Sequence, residues 1–315
     1  MMQPTQSYLK VPYDLRPAKQ VERRMIIDAL QVLSIVGFDI PKYQYTGLGS
    51  VYFVDFILFH KFLGIQKLWS VEIDRKIEKR VQFNKPFSCI DIKIDSIGNV
   101  IPQLSRKRKH ILWLDYDSVI RSEHLQDVWL AAVQLPPGSI LLVTVDVERP
   151  LGSDDPEEWR QYFQAEASEY SATFDKKAFA ASNLPTLNRD LLASAIQSGL
   201  SARELQFYSL FSFLYADGHE MLTLGGMIGG PEERVLIERS GLTERTGPVY
   251  IRSNLKQKPY RILVPRLTRK ERLYLDRAMP CPAGWKSKDF ELPPEFVSVY
   301  TEIYRFLPTY AELLL

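Results

Sequence analysis

Residues 207–228 read FYSLFSFLYADGHEMLTLGGMI, and this stretch decides the fold. It contains two β-prone runs, 207–215 and 220–228, which are joined through Asp217-Gly218. An Asp-Gly pair between two such runs favours a tight type I′ turn, because both central residues of that turn need a positive φ. The stretch therefore predicts an antiparallel hairpin near the end of a sheet.

Upstream of this hairpin, strand-like and helix-like segments alternate. The strands are predicted at residues 43–46, 67–73, 88–94, 110–114 and 139–145, with helical patterns between them. The fifth run is almost continuously apolar, which is typical of a strand buried on both faces of a parallel sheet. Together these segments predict an α/β fold whose seven-stranded sheet has five parallel strands and a terminal antiparallel hairpin.

The composition is that of a globular protein. The 315 residues are 45% hydrophobic and 25% charged, which excludes intrinsic disorder for the chain as a whole. Only two cysteines are present, so a multi-cysteine zinc site is excluded and a reducing compartment is favoured. Neither a secretory signal nor a membrane-spanning run is recognisable, and we expect a cytoplasmic protein without a membrane partner.

The sequence predicts three parts of the chain, and the last of them is basic. Residues 1–40 form a helical N-terminal extension, 41–230 the α/β domain, and 231–315 a basic, helical C-terminal extension. Residues 252–277 carry nine bases and two acids, and four further bases are consecutive at 106–109. Such runs can contact nucleic-acid phosphates or a protein partner, and the alternative is that they are solvated surfaces.

Polar residues and glycines follow the predicted strands. The turn Gly47-Leu48-Gly49 follows the first strand and Glu72 the second, where a carboxylate can accept both hydroxyls of a ribose. Asp95-Ser96 and Asp115 follow the third and fourth strands. Because the carboxyl ends of parallel strands meet at one edge, these residues predict a nucleotide pocket. A dinucleotide fingerprint would need glycine at Tyr52, so binding of NAD is disfavoured.

With its terminal hairpin, the stretch 43–230 resembles the class I S-adenosylmethionine-dependent methyltransferases, which have a Rossmann-like sheet. Its strand-end pattern is most similar to O-methyltransferases. The resemblance implies that Glu72 binds the ribose of S-adenosylmethionine and that Asp115 lies beside the sulfonium. It also implies that the adenine lies near Asp95 and Ser96, and that the methionine and ribose are lined by Thr46, Gly47, Leu48 and Gly49.

The resemblance extends to the methyl acceptor, which stays unidentified. Asp115-Tyr116-Asp117 is similar to the acidic motif of metal-assisted O-methyltransferases, which pair it with Asp-Asn after the fifth strand. This chain has Asp146 there, with Val147 in place of asparagine and Glu148 next to it. The expected catalytic residues are therefore Asp115, Asp117 and Asp146, with Mg²⁺ as an expected cofactor because it prefers oxygen ligands.

Two departures from the family's first-loop pattern support a second hypothesis. The family's first loop has an acid and a third glycine where this chain has Tyr45 and Val51. The alternative is a catalytically inactive, methyltransferase-like module that binds nucleic acid or protein through 252–277. The aromatic stripe of the last predicted helix, at Phe296, Tyr300 and Tyr304, is expected to be core or else a homodimer face.

Overall fold

A computed structural model describes residues 16–49, 51–171, 174–282, 284–287 and 290–308. The first fifteen residues of the predicted N-terminal extension lie outside these ranges. Within the described ranges, no helix combines the length and the apolar character that crossing a membrane requires.

Eight strands form one mixed sheet. They are β1 (Gln44–Leu48), β2 (Lys67–Glu72), β3 (Ile90–Ile94), β4 (His110–Val119), β5 (Ser139–Asp146), β6 (Gln206–Ala216), β7 (Glu220–Gly229) and β8 (Tyr260–Ile262). Their order is β3-β2-β1-β4-β5-β7-β6-β8. The first five are parallel to one another, and β7 is antiparallel to both β5 and β6. The predicted count of seven is wrong, because β8 pairs in parallel with β6 and adds part of the C-terminal segment.

Helices cover both faces of the sheet. The first begins at Pro17, whose fixed φ and missing N–H suit a first turn. In chain order they are α1 (Pro17–Ile35), α2 (Val54–Leu63), α3 (Glu78–Asn84), α4 (Ile97–Val100), α5 (Ser122–Gln134), α6 (Pro156–Glu166), α7 (Ser168–Ser171), α8 (Leu184–Leu200), α9 (Pro231–Arg239), α10 (Arg269–Ala278) and α11 (Pro294–Ile303).

The sheet separates two hydrophobic cores. On one face, α1 and α2 pack with Met25, Phe56 and Trp113 among the buried side chains. On the other face, α5 and α8 pack over Leu112 and neighbouring side chains. Consecutive residues of β4, Leu112 and Trp113, therefore contribute to opposite cores, as the two-residue period of a strand requires. The face to which Asp115 belongs is thus the face of α1 and α2.

The turn of the hairpin differs from the prediction. Three residues, Asp217, Gly218 and His219, connect β6 to β7, and Gly218 has a positive φ of 113° while Asp217 does not. A two-residue type I′ turn is therefore wrong. The Asp217 carboxylate instead accepts hydrogen bonds from the backbone N–H groups of Ala18 (3.1 Å) and Lys19 (2.8 Å), and so caps the start of α1.

The C-terminal segment packs on the same face as α1. Tyr260 and Ile262 of β8 belong to the first core, and the Tyr250 hydroxyl donates to Asp28 of α1 at 2.7 Å. In α11, Tyr300 is fully buried and Phe296 half-buried, so much of the aromatic stripe packs inside the protein.

Candidate active site

The strand register places three predicted residues at one height of the sheet. Leu48 pairs with Val71, and Gly47 pairs with Trp113. One residue beyond the first pair, and two beyond the second, Gly49 after β1 is level with both Glu72 on β2 and Asp115 on β4. Neighbouring strands lie about 4.8 Å apart, so the backbones of Glu72 and Asp115 are separated by about 10 Å across Gly49. This carboxyl edge of the sheet is the candidate active site.

The two glycines make room for atoms of the protein itself. Gly47 lies inside β1 rather than in a turn, and a Cβ there would lie 2.5 Å from the Tyr45 hydroxyl oxygen. A Cβ on Gly49 would lie 2.8 Å from the Val71 carbonyl oxygen, and this same oxygen accepts the hydrogen bond from the Gly49 N–H. The prediction of an open glycine turn over 47–49 is therefore wrong, because β1 continues to Leu48 and pairs with β2.

Glu72 is half-buried at the end of β2. One carboxylate oxygen accepts the Asp74 backbone N–H at 2.9 Å, which holds the side chain at the strand end. Burial raises the pKa of Glu72, and the Asp74 N–H opposes that shift only in part. The Asp95 N–H donates to the Glu72 carbonyl at 3.1 Å, so the ends of β2 and β3 lie together.

Asp95 and Ser96 form the start of α4. The Asp95 carboxylate accepts hydrogen bonds from the Asn99 side chain and the Ser96 N–H, both at 2.8 Å, and the Asn99 bond is the main cause of its lowered pKa. Ser96 caps the helix by accepting from the Asn99 N–H at 3.4 Å. Both polar groups thus lie beside Glu72 and already have partners in this turn.

Two other predicted ligands point to the opposite face. Thr46 is fully buried, and its hydroxyl accepts a hydrogen bond from Gln44 at 3.3 Å. Leu48 packs against the second core, under α4 and α5. Their side chains therefore do not share the face of Gly47, Glu72 and Asp115, and only their backbone follows the candidate site.

Asp115 lies in a buried cluster of charges that was not predicted from the sequence. The Lys19 ammonium of α1 lies 2.8 Å from Asp115 Oδ1, 2.9 Å from Glu22 Oε2 and 3.1 Å from the Tyr215 hydroxyl. The side chains of Lys19 and Glu22 are fully buried. A signal was present, since Lys19, Glu22 and Arg23 precede Ile26 at helical spacing and so continue the buried face of α1.

The cluster changes the acidity of its members. Burial by itself would raise the pKa of Asp115, but the Lys19 ammonium, together with Arg16 and Arg23, outweighs burial and lowers it. Burial raises the pKa of Glu22, against the opposing effect of Lys19. Arg23 pairs through Nε with Asp55 of α2, while its Nη1 is buried without a hydrogen-bond partner. Asp115 is therefore a carboxylate held next to positive charge from α1.

Asp146 and Glu148 meet a histidine beyond the end of β5. His219 Nδ1 lies 3.4 Å from Asp146 Oδ2 and 3.0 Å from Glu148 Oε2. One ligand atom from each residue lies within 4.8 Å of the others, which suits a metal ion. Asp117 is exposed and close enough to contribute to the raised pKa of Asp146, of which burial is the main cause. His219 joins because the hairpin turn lies beside the end of β5.

The basic residues of 252–277 divide into two groups. Arg252 donates to backbone carbonyls, including that of Val249 at 2.7 Å, and Arg261 pairs with Glu220 at 2.7 Å. These two arginines therefore stabilise the fold. Apart from Arg261, the exposed bases of the segment are Lys256, Lys258, Arg266, Arg269, Lys270 and Arg277, and Arg272 is half-buried.

Comparison with known proteins gives one family. A model of the family described as "Putative O-methyltransferase" matches residues 11–315. No curated protein sequence matches the chain.

Solved structures add similar chains at low identity. Trm1 from Pyrococcus horikoshii, with S-adenosyl-L-methionine, is 13% identical over 76% of this chain, with a TM-score of 0.47. The match covers 61% of the Trm1 chain, so this chain spans less than two thirds of it. The O-methyltransferase from Bacillus cereus, in complex with SAH, is 11% identical over 72% of this chain and 93% of its own, with a TM-score of 0.37.

Proposed function

The chain belongs to this family of O-methyltransferases, and from that premise we propose that it transfers a methyl group from S-adenosylmethionine to an oxygen atom of its acceptor. The observation that carries the proposal is the common height of Gly49, Glu72 and Asp115 at the carboxyl edge of the sheet. Open parallel sheets bind their ligands at this edge. The Glu72 carboxylate has one oxygen bonded to Asp74, and the other would accept ribose hydroxyls.

Residues of α1 and α2 extend the proposed site. Tyr45 stands where the family's first loop has an acid, so this chain needs other groups for the charged amino-acid end of the cofactor. Arg23 Nη1 is a buried donor without a partner, and it would bind the cofactor's carboxylate. Asp115 would lie near the sulfonium, with its Oδ1 already paired to the Lys19 ammonium at 2.8 Å.

Calorimetry with S-adenosylmethionine tests this proposal. We expect micromolar binding to the folded chain and about tenfold or weaker binding to Glu72→Ala, because a hydrogen bond to a charged group contributes roughly 1.5–3 kcal/mol. Glu78→Ala, which removes an equal charge from the nearby helix α3, is the control and should bind like the unsubstituted chain. Absence of binding to the folded protein, or equal loss in both variants, would contradict the proposal.

We further propose that Asp146, Glu148 and His219 hold a divalent cation. An imidazole with two carboxylates suits Mn²⁺, Fe²⁺ or Zn²⁺ better than the Mg²⁺ expected from the sequence, which prefers oxygen ligands alone. Such an ion lowers the pKa of an acceptor hydroxyl and orients it. The residues themselves would fix the ion between the end of β5 and the turn before β7.

Titration with Mn²⁺, followed by the loss of the free-ion electron paramagnetic resonance signal, measures this site directly. We expect one bound ion per chain and a loss of most binding in Glu148→Gln. Glu157→Gln, an acid-to-amide change in helix α6 outside the cluster, should leave the titration unchanged. Stoichiometric binding that survives Glu148→Gln would place the ion elsewhere.

A further inference from the structure

The opposite edge of the sheet contains a basic depression. It has a volume of about 430 Å³, and its lining includes Lys42, Tyr43 and residues 107–109. Gln44 and His110, which begin β1 and β4, are register partners, so the depression lies where these strands begin. β1 has five residues and spans about 17 Å, which separates the depression from the candidate active site.

Positive charge dominates this depression. Its lining contains four bases, namely Lys42, Lys107, Arg108 and Lys109. Asp39 is the single acid among the lining residues in the described ranges, and it pairs with Lys42 at 2.6 Å. The Lys42 side chain nevertheless stays 82% exposed. Arg108 donates to the Lys42 carbonyl at 3.1 Å and Lys109 lies over the Phe38 ring, while Lys107 is exposed to a ligand.

Further bases extend this surface along the edge. Lys67 is exposed at the start of β2 and pairs in register with Gln44. The pKa of His110 is lowered, first by burial and then by Arg108 and Lys67, so both cations lie near the His110 ring. Burial lowers the pKa of Arg203, and Arg106 adds to that effect. Cations here have other cations as neighbours, which is unfavourable unless an anion lies between them.

The spacing of these bases indicates a ligand with several phosphates. The starts of β2, β1 and β4 extend over about 10 Å, more than a single phosphate group can contact. Lys42, Lys67 and Lys107 are exposed, so they suit a chain that passes along the surface. A concave, positively charged surface follows a single strand better than it fits a flat membrane. Base-specific recognition is not required for such a contact.

We propose that this surface, formed by Lys42, Lys67 and the run 106–109, binds the phosphate backbone of single-stranded nucleic acid. The surface is separate from the methyl-transfer edge, so the bound strand is held at a distance from the cofactor. The proposal does not depend on methyl transfer. It would make the chain a nucleic-acid-binding protein through residues outside the 252–277 segment.

Fluorescence anisotropy with a labelled 20-nucleotide RNA of mixed sequence tests this. The salt dependence is compared between the unsubstituted chain and Lys42→Ala/Lys107→Ala, two exposed positions of the depression. Each lost phosphate contact lowers the slope of log K against log salt by about 0.7 for single strands, so we expect a decrease of about 1.4. Lys76→Ala/Lys79→Ala removes the same charge beside the carboxyl edge and should leave the slope unchanged.

The proposal would be overturned by no binding at low salt, by equal slopes in the depression variant and the unsubstituted chain, or by an equal decrease in the Lys76/Lys79 control. Arg269→Ala/Lys270→Ala tests the 252–277 segment, and a loss of RNA binding confined to that variant would also overturn the proposal. Vesicles containing anionic lipid form another arm, and binding to vesicles but not to RNA would assign the surface to a membrane. Binding of S-adenosylmethionine is measured separately by calorimetry, so the methyl-transfer proposal and the nucleic-acid proposal can fail independently.

Discussion

Gly49 shows how a single residue relates the sheet to the candidate site. Its missing side chain lets β1 approach the end of β2, where a Cβ would lie 2.8 Å from the Val71 carbonyl oxygen and 3.1 Å from the Glu72 Cβ. The Val71 carbonyl belongs to a paired strand and cannot move away easily. The glycine therefore positions Glu72 through packing between strands, although the sequence suggested that it made space for a ligand.

We expect Gly49→Ala to lower the free energy of unfolding by about 1–3 kcal/mol, because overpacking shifts the paired backbone. The same shift moves Glu72, so the affinity for S-adenosylmethionine should also fall. Urea unfolding and calorimetry measure the two effects. Gly98→Ala is the matched control, since its nearest neighbour at 2.8 Å is the carboxylate of the Asp127 side chain, which can rotate away. Equal destabilisation by both substitutions would refute this explanation.

At the scale of an element, helix α5 begins with a buried histidine. His124 Nδ1 accepts the Arg121 N–H at 3.3 Å, and its ring stacks on Tyr116 at 4.0 Å between centroids. Burial, with a further contribution from Arg121, lowers the pKa of His124 to about 4. The neutral imidazole is the form that accepts the N–H. Protonation would therefore disrupt the start of α5.

The unfolded chain binds a proton at His124 near pH 6.5, whereas the folded chain does so only near pH 4. Stability from this group is thus full above pH 6.5 and is lost as the pH falls towards 4, by up to roughly 3 kcal/mol. Urea unfolding at pH 7.5, 6.0 and 4.5 should show this decrease. In His124→Gln, which keeps an acceptor but does not titrate in this range, the decrease should be smaller. If His124→Gln lost as much stability between pH 7.5 and pH 4.5 as the unsubstituted chain, His124 would not be responsible for the decrease.

On the scale of the whole molecule, one buried ion cluster joins distant parts of the chain. Lys19 of α1 contacts Asp115 of β4 and Tyr215 of β6, which are 96 and 196 residues away in sequence. A buried ion pair contributes little by itself, but removing one partner leaves an uncompensated charge. Helix α1 is therefore part of the cluster that surrounds Asp115.

Lys19→Met should destabilise the fold by about 3–5 kcal/mol, because it leaves the carboxylate of Asp115 without its buried partner. The double variant Lys19→Met/Asp115→Asn should recover part of this loss, since it removes the charge of Asp115 but leaves Glu22 without the Lys19 ammonium. Chemical denaturation of the two variants at neutral pH gives the comparison. If the double variant were no more stable than Lys19→Met, the lost pairing with Asp115 would not explain the destabilisation.

Much of the fold follows from local sequence patterns. The apolar runs, their spacing and the hairpin determined seven strands of the sheet in order, since strand and helix periodicity act over a few residues. The same reasoning located Glu72 at the end of β2, but it placed Asp115 after the fourth strand, whereas β4 continues to Val119 and Asp115 lies within it. It missed β8, because a three-residue strand has too little periodicity to be recognised and becomes a strand only by pairing with β6.

The candidate site was decided by the tertiary structure. The sequence determined which carboxylates follow the strands, but not that Lys19 neutralises Asp115 or that His219 lies beside Asp146. These contacts join groups separated by tens of residues, and no local pattern records such a distance. The same holds for the basic depression, where Lys42 and Lys107 lie together only because β1 and β4 are neighbours. Local periodicity sets the order of strands and helices, whereas pairing and burial choose which charges face one another.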